Sequence, residues 1–316
     1  FLDLKALSTL GRCNTFFHEY WQYVLKQNII RVPEGCPTVH QALDLAVVFS
    51  ERNDCTRENP VKIEVGEGGH AMVGVAGQYP GLLTHVSCNN ITIVGKGKGK
   101  TTILGGFYVN GKQNVKIEQL DVANTIRGRG FGKILFCKEQ VVNVQTRTQP
   151  VTSRVARITA VHANSKTYNV KYIVGNRTEK NVDAKYITLC SSGHGLFCKG
   201  SGTNVDVMEC CFEICGSSGM IVCEGATVAA TRCEFLENVT GCGIFCRGAN
   251  TKASLNDCQM HHNGSCGLYA SNHAVVDLHG TKTDIHSNKG DGIFAYSHAK
   301  VNIHLPSQHN TSHDNV

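Results

Sequence analysis

Nine of the fifteen histidines lie between His261 and His313. His261, His286 and His313 are spaced 25 and 27 residues apart, and each stands two residues before an asparagine, Asn263, Asn288 or Asn315. Imidazoles repeated at a fixed interval on one face of a fold could ligate Zn²⁺ or line a reactive cleft. The competing reading is an exposed polar ladder, and it is the one expected here: no metal and no cofactor, with His261, His286 and His313 as the candidates should a metal bind. His194, in Gly193-His194-Gly195, joins His261 and His286 as a candidate catalytic group, although a turn role is expected for it. Glycoside hydrolysis needs two carboxyl groups across the scissile bond. A Ca²⁺-assisted elimination needs clustered carboxylates and a basic side chain. Asp206, Asp257, Asp277 and Asp284 form no coherent acidic row, so no catalytic residue is expected.

Two other patterns suggest chemistry. Gly95-Lys96-Gly97-Lys98-Gly99-Lys100-Thr101-Thr102 follows a strand-like run, as a phosphate-cradling loop does. Its glycines are wrongly spaced for Gly-x4-Gly-Lys-Ser/Thr, and no helical pattern follows to supply an N-terminus. Of the sixteen cysteines, ten lie between Cys198 and Cys266, several at equivalent repeat positions: Cys198 with Cys246, Cys242 with Cys266, and Cys210 with Cys233 and Cys258. Small apolar thiols stacked in a core fit that placement, and reduced thiols are expected.

The elements that must position these residues are set by a period. Gly195-Leu196-Phe197, Gly219-Met220-Ile221, Gly243-Ile244-Phe245, Gly267-Leu268-Tyr269 and Gly292-Ile293-Phe294 recur every 24 or 25 residues. A repeat of that size cannot bury its own apolar face and must stack on its neighbours. A second ladder, Phe212, Phe235, Met260 and Ile285, and a third set of alternating runs at 205–207, 227–229, 253–255, 275–277 and 301–303 give three short strands per repeat. The expected fold is all-β: a right-handed parallel β-helix. Asn238, Asn263, Asn288 and Asn315 recur in the same rhythm, as stacked turn residues do.

Ile29-Ile30-Arg31-Val32-Pro33 followed by Thr38-Val39-His40-Gln41-Ala42-Leu43 resembles the opening coil of pectin-lyase-like β-helices, where a strand leads into a short helix. That resemblance implies a fold which hosts lyases, hydrolases and epimerases acting on acidic polysaccharides. Gly193-His194-Gly195 is similar to the Gly-His-Gly of polygalacturonases, but the other motifs of that family are missing. Residues 1–28 carry apolar positions at helical spacing, and Leu2-Asp3-Leu4-Lys5-Ala6-Leu7-Ser8-Thr9-Leu10, Phe16-Phe17 and Tyr20-Trp21 resemble the second half of an F-box. The F-box implies docking on a Skp1-type adaptor through residues such as Leu7, Leu10 and Trp21. A helical cap over the open end of the solenoid is the alternative.

Between 140 and 189 the glycine ladder stops, and alternating runs at 141–144, 154–161, 167–174, 179–182 and 184–187 replace it. These resemble a small Tudor or SH3-like barrel set into the β-helix. The expected organisation is therefore a helical segment at 1–28, β-helix at 29–139, barrel at 140–189 and β-helix again at 190–316. Residues 111–189 hold 14 Lys and Arg against 5 Asp and Glu, while the whole chain has a net charge of +6. Arg154, Arg157 and Lys171, with Tyr168, Tyr172 and Tyr186, are the expected binding residues, for an acidic or nucleic-acid partner.

Phe1–Lys5 lacks the pattern of a signal peptide, and no run of 18 apolar residues could span a bilayer. An intracellular placement, cytoplasmic or nuclear and away from membranes, follows as an expectation. The leading functional expectation is a non-catalytic recognition β-helix, an F-box-type adaptor whose groove holds a protein client. The alternative is a carbohydrate-active lyase, hydrolase or epimerase, which would require acidic and basic side chains clustered in one groove. A structural scaffold is the third reading.

Overall fold

The computed structural model describes residues 28–72, 83–124, 141–145, 153–162, 167–172, 177–189, 193–305 and 311–316. The segment carrying Leu7, Leu10 and Trp21 lies outside these residues. No helix among the described residues is long and apolar enough to cross a membrane.

Three parallel sheets of nine, seven and eight strands enclose one core. One coil shows the rule: Met220–Cys223 lies in the seven-stranded sheet, Thr227–Thr231 in the nine-stranded and Glu234–Leu236 in the eight-stranded. The next coil repeats it, with Met220 beside Ile244, Val228 beside Ala253 and Phe235 beside Met260. Alternation along each strand sends one residue in two to the core. Phe212 and Phe235 stack there with ring centroids 5.2 Å apart and planes within 5°. Fully buried side chains of this size each contribute about 1.5–3 kcal/mol. Val61–Val65, Ile91–Val94 and Val115–Glu118 extend the nine-stranded sheet toward the start of the chain. The helix predicted from Val39 runs to Arg52, capped by the Thr38 hydroxyl, which accepts from Gln41 N at 3.2 Å.

The turn ladder is longer than the sequence rhythm shows. Asn238 Nδ2 donates to Asn263 Oδ1 at 2.8 Å, Asn263 to Asn288 at 2.8 Å and Asn288 to Asn315 at 2.9 Å. Cys215 stands one coil earlier, its backbone N–H donating to Asn238 Oδ1 at 3.0 Å. Each ladder residue follows one in left-handed backbone, from Ile214 through Glu237, His262 and Ser287 to Asp314. The glycines that open each repeat answer to this ladder. A Cβ on Gly243 would sit 2.8 Å from Gly267 O and 3.0 Å from Asn263 Nδ2, so the close approach of coils excludes a side chain there.

A separate five-stranded antiparallel sheet is built from Val141–Gln145, Ser153–His162, Thr167–Tyr172, Thr178–Asp183 and Ile187–Leu189. It has its own core of Val144, Ala156, Ile158, Tyr168, Val170, Val182 and Ile187. The strand predicted at 184–187 is instead a 3₁₀ turn over Ala184–Tyr186, because the Asp183 carboxylate accepts from Lys185 N at 3.0 Å and caps it. The thirteen cysteines among the described residues are all unbridged, and all but Cys55 and Cys223 are buried.

Candidate active site

The eight-stranded sheet turns two rows of side chains outward. Asp121, Cys211, Glu234, Gln259 and Asp284 stand level with one another on successive coils. Two residues on, Glu213, Leu236, His261, His286 and His313 form the second row. The inward positions between them are Val122, Phe212, Phe235, Met260 and Ile285, all fully buried. Across six coils this alternation gathers most of the carboxylates at one end of the face and the imidazoles at the other.

At the carboxylate end the lysine-rich loop supplies the cation. Lys98 Nζ lies 2.8 Å from Glu234 Oε1, across 136 residues of chain. Gly99 N donates to Asp121 Oδ2 at 2.7 Å, while Asp121 Oδ1 is buried without a hydrogen-bond partner. The loop thus acts as an arm that lays a cation against Glu234 and a backbone donor against Asp121. Beside it a cleft of about 380 Å³ is lined by Lys96, Gly97, Lys98, Gln119, Glu209 and Arg232. Arg232 grips one oxygen of Glu209 from Nε at 3.0 Å and Nη2 at 2.7 Å.

Burial and crowding set the protonation states. Glu213 is pushed up to about 7, first by loss of hydration and then by Asp121, Glu237 and Glu234 around it. Asp121 is raised by burial, against the opposing pull of Gly99 N–H and Lys98. For Lys98 burial works against the charge, yet the bond to Glu234 outweighs it and the ammonium is held above its ordinary range. A carboxyl group that is protonated near neutral pH, next to one paired with a cation, is the arrangement general acid catalysis uses.

At the other end the three predicted histidines do come together. The His261 and His286 rings stack with centroids 4.9 Å apart, and those of His286 and His313 at 5.2 Å, both pairs within 6° of parallel. Their nitrogens are engaged separately. His261 Nδ1 faces His262 Nδ1 at 2.8 Å and His286 Nδ1 faces Ser287 Oγ at 3.0 Å. His313 bridges Asp284 at 3.1 Å and Asp314 at 2.9 Å. His261 is lowered by burial and by its imidazole neighbours, whereas the Asp314 hydrogen bond raises His313. His194 does not join them. It sits at the turn into the seven-stranded sheet, where its Nδ1 accepts from Ser218 N at 3.3 Å and burial lowers it to about 4.

The predicted binding residues occupy the small antiparallel sheet. Tyr168 is buried in its core, Tyr172 donates to Glu179 Oε2 at 2.6 Å, and the Tyr186 ring lies 5.0 Å from Lys185 Nζ. Lys171 is exposed and pairs in register with Arg157. Arg154 and Arg157 lie on the strand Ser153–His162, and their side chains fall outside the description. The residues that sequence reasoning missed are Lys98, Asp121, Glu213 and Glu234. Asp121, Glu213 and Glu234 come from three different coils and Lys98 from the glycine- and lysine-rich loop, so no spacing links them.

Residues 151–312 match the family described as "Right handed beta helix region", just over half of the chain. Among solved structures, the chain is similar to the A-module of the mannuronan C-5 epimerase AlgE6 from Azotobacter vinelandii, at 12% identity and a TM-score of 0.26. That similarity covers 88% of this chain and 93% of the module. No curated protein matches. The expectation of a non-catalytic F-box-type adaptor is corrected: the family model that matches is a right-handed β-helix region over residues 151–312, and the F-box-like residues 1–28 lie outside it. Acidic and basic side chains do meet beside the eight-stranded sheet, where Lys98 reaches Glu234 from its loop.

Proposed function

The chain belongs to the right-handed β-helix family, and we propose that it is a carbohydrate-active enzyme cleaving glycosidic bonds on the outer face of its eight-stranded sheet. The observation that carries this reading is the Glu213 carboxyl, held near 7 beside Glu234, which Lys98 pairs. Glu213 donates its proton to the departing glycosidic oxygen. Glu234 takes the proton from the attacking water, and the new C–O bond forms on the opposite face of the sugar ring.

The spacing of the two glutamates is compatible with inversion. Glu213 and Glu234 are diagonal neighbours, because Cys211 is level with Glu234 and Glu213 lies two residues further along. Strands about 4.8 Å apart with a rise of about 3.3 Å per residue place such Cα atoms about 8 Å apart. Inversion needs the two carboxyl groups about 6.5–9.5 Å apart with a water between them, a gap that side chains rooted at such Cα atoms can span.

The test is release of reducing ends from neutral and uronic-acid polysaccharides by the purified chain. Glu213→Gln should lower the rate by about 10²-fold or more. Absence of cleavage across the panel, or an unchanged rate in Glu213→Gln, refutes the assignment.

A further inference from the structure

A different face holds a second constellation. Val275–His279 and Lys300–Ile303 are neighbouring strands of the nine-stranded sheet, with Asp277 level with Asn302 and Leu278 with Ile303. His304 N continues the ladder by donating to Leu278 O at 2.9 Å, which brings His304 beside His279. Asp277 and His279 are two residues apart on one strand and so face the same way. The three side chains meet outside the core: Asp277 and His279 are half-buried and His304 is exposed.

The geometry points to a binding site for a divalent transition metal of the Zn²⁺ class, formed by Asp277, His279 and His304. Their donor atoms all lie within 4.8 Å of one another. His304 Nε2 is already 3.1 Å from Asp277 Oδ1. Tetrahedral coordination at about 2.0–2.2 Å sets donors roughly 3.3–3.6 Å apart. The nitrogen–oxygen pair therefore needs only to open slightly. The two rings are parallel, with centroids 4.5 Å apart, and must tilt toward a shared ion. The solvent side of the sheet leaves room for that motion.

Chemistry selects the class of ion. Two imidazoles and one carboxylate suit Zn²⁺, Co²⁺ or Ni²⁺, whereas Ca²⁺ and Mg²⁺ take all-oxygen shells. Asn302 Nδ2 donates to Asp277 Oδ1 at 2.8 Å and orients the carboxylate from outside the ligand set. The other histidine stacks differ. The donor atoms of the His261–His286–His313 stack do not gather within that reach among the described residues. His273 and His298 stack at 5.1 Å and belong to no such donor group among the described residues. Three protein ligands leave a fourth position for water or a ligand atom.

The experiment is isothermal titration of the full chain with ZnCl₂ after dialysis against chelator, with Co²⁺ absorption as a second readout. One saturable site is expected. His304→Ala and Asp277→Asn should each weaken it at least about tenfold, while His286→Ala leaves it intact. Zn²⁺ should raise the melting temperature of the parent chain and of His286→Ala but not of His304→Ala, which also reports whether the variant is folded. Three results overturn the assignment: no saturable binding, loss of binding in His286→Ala with retention in His304→Ala, or Co²⁺ spectra dominated by thiolate charge-transfer bands.

Discussion

Replacing Glu213 by Gln should make the protein more stable at alkaline pH while abolishing the proposed chemistry. The folded chain keeps a proton on Glu213 up to about 7, against an ordinary value of 4.5. Between those two values the native state binds more protons than the unfolded chain, so stability falls as pH rises through the window. A displacement of that size corresponds to about 3 kcal/mol, at 1.36 kcal/mol per tenfold change. Glu213 retains partial access to water, and screening reduces this to roughly 1–2 kcal/mol. Glutamine keeps the size and loses the titration. Urea unfolding of both proteins at pH 5 and pH 8 measures the difference directly. The parent chain should lose about 1–2 kcal/mol relative to Glu213→Gln on moving from pH 5 to pH 8. Equal pH dependence in the two proteins, or a parent chain that gains on the variant at pH 8, refutes the crowded-carboxylate reasoning and the acid assigned to it.

Two further outcomes test the frame and the arm. Asn263→Ala should cost about 2–4 kcal/mol in thermal or urea unfolding, because it strips a buried ladder residue and leaves Asn238 N–H without its acceptor. Lys98→Met should change stability by less than about 1 kcal/mol, since the Lys98–Glu234 pair is about one-third exposed at both ends. It should nevertheless lower the rate of cleavage, because Glu234, the base of the proposed reaction, loses the ammonium that holds it at 2.8 Å. An unchanged rate would mean that the arm plays no part in the chemistry.

The solenoid was legible because its determinants repeat. A glycine that touches the backbone of the next coil, an inward aromatic or aliphatic residue and a buried asparagine return every 24 or 25 residues. The same logic hid the rest. Cys215 takes a ladder position with a residue that carries no amide, so it does not read as part of the asparagine row. The carboxylate face depends on which residues share a strand's outward side on different coils, and Lys98 and Glu234 are too far apart in sequence for periodicity to join them. The search for an acidic row weighed Asp206, Asp257, Asp277 and Asp284, of which only Asp284 lies on the candidate face. Asp277 instead meets His279 and His304, a pair one repeat apart that becomes visible once the strand register is known.

Each amide of the asparagine ladder works in both directions along the stack. Asn238, Asn263 and Asn288 donate one N–H to the asparagine of the coil that follows. The same nitrogens donate back to the main-chain carbonyls of Phe212, Phe235 and Met260 on the coil before. Every ladder residue is thus a rivet through three layers, and removing one unfastens the coil on either side of it.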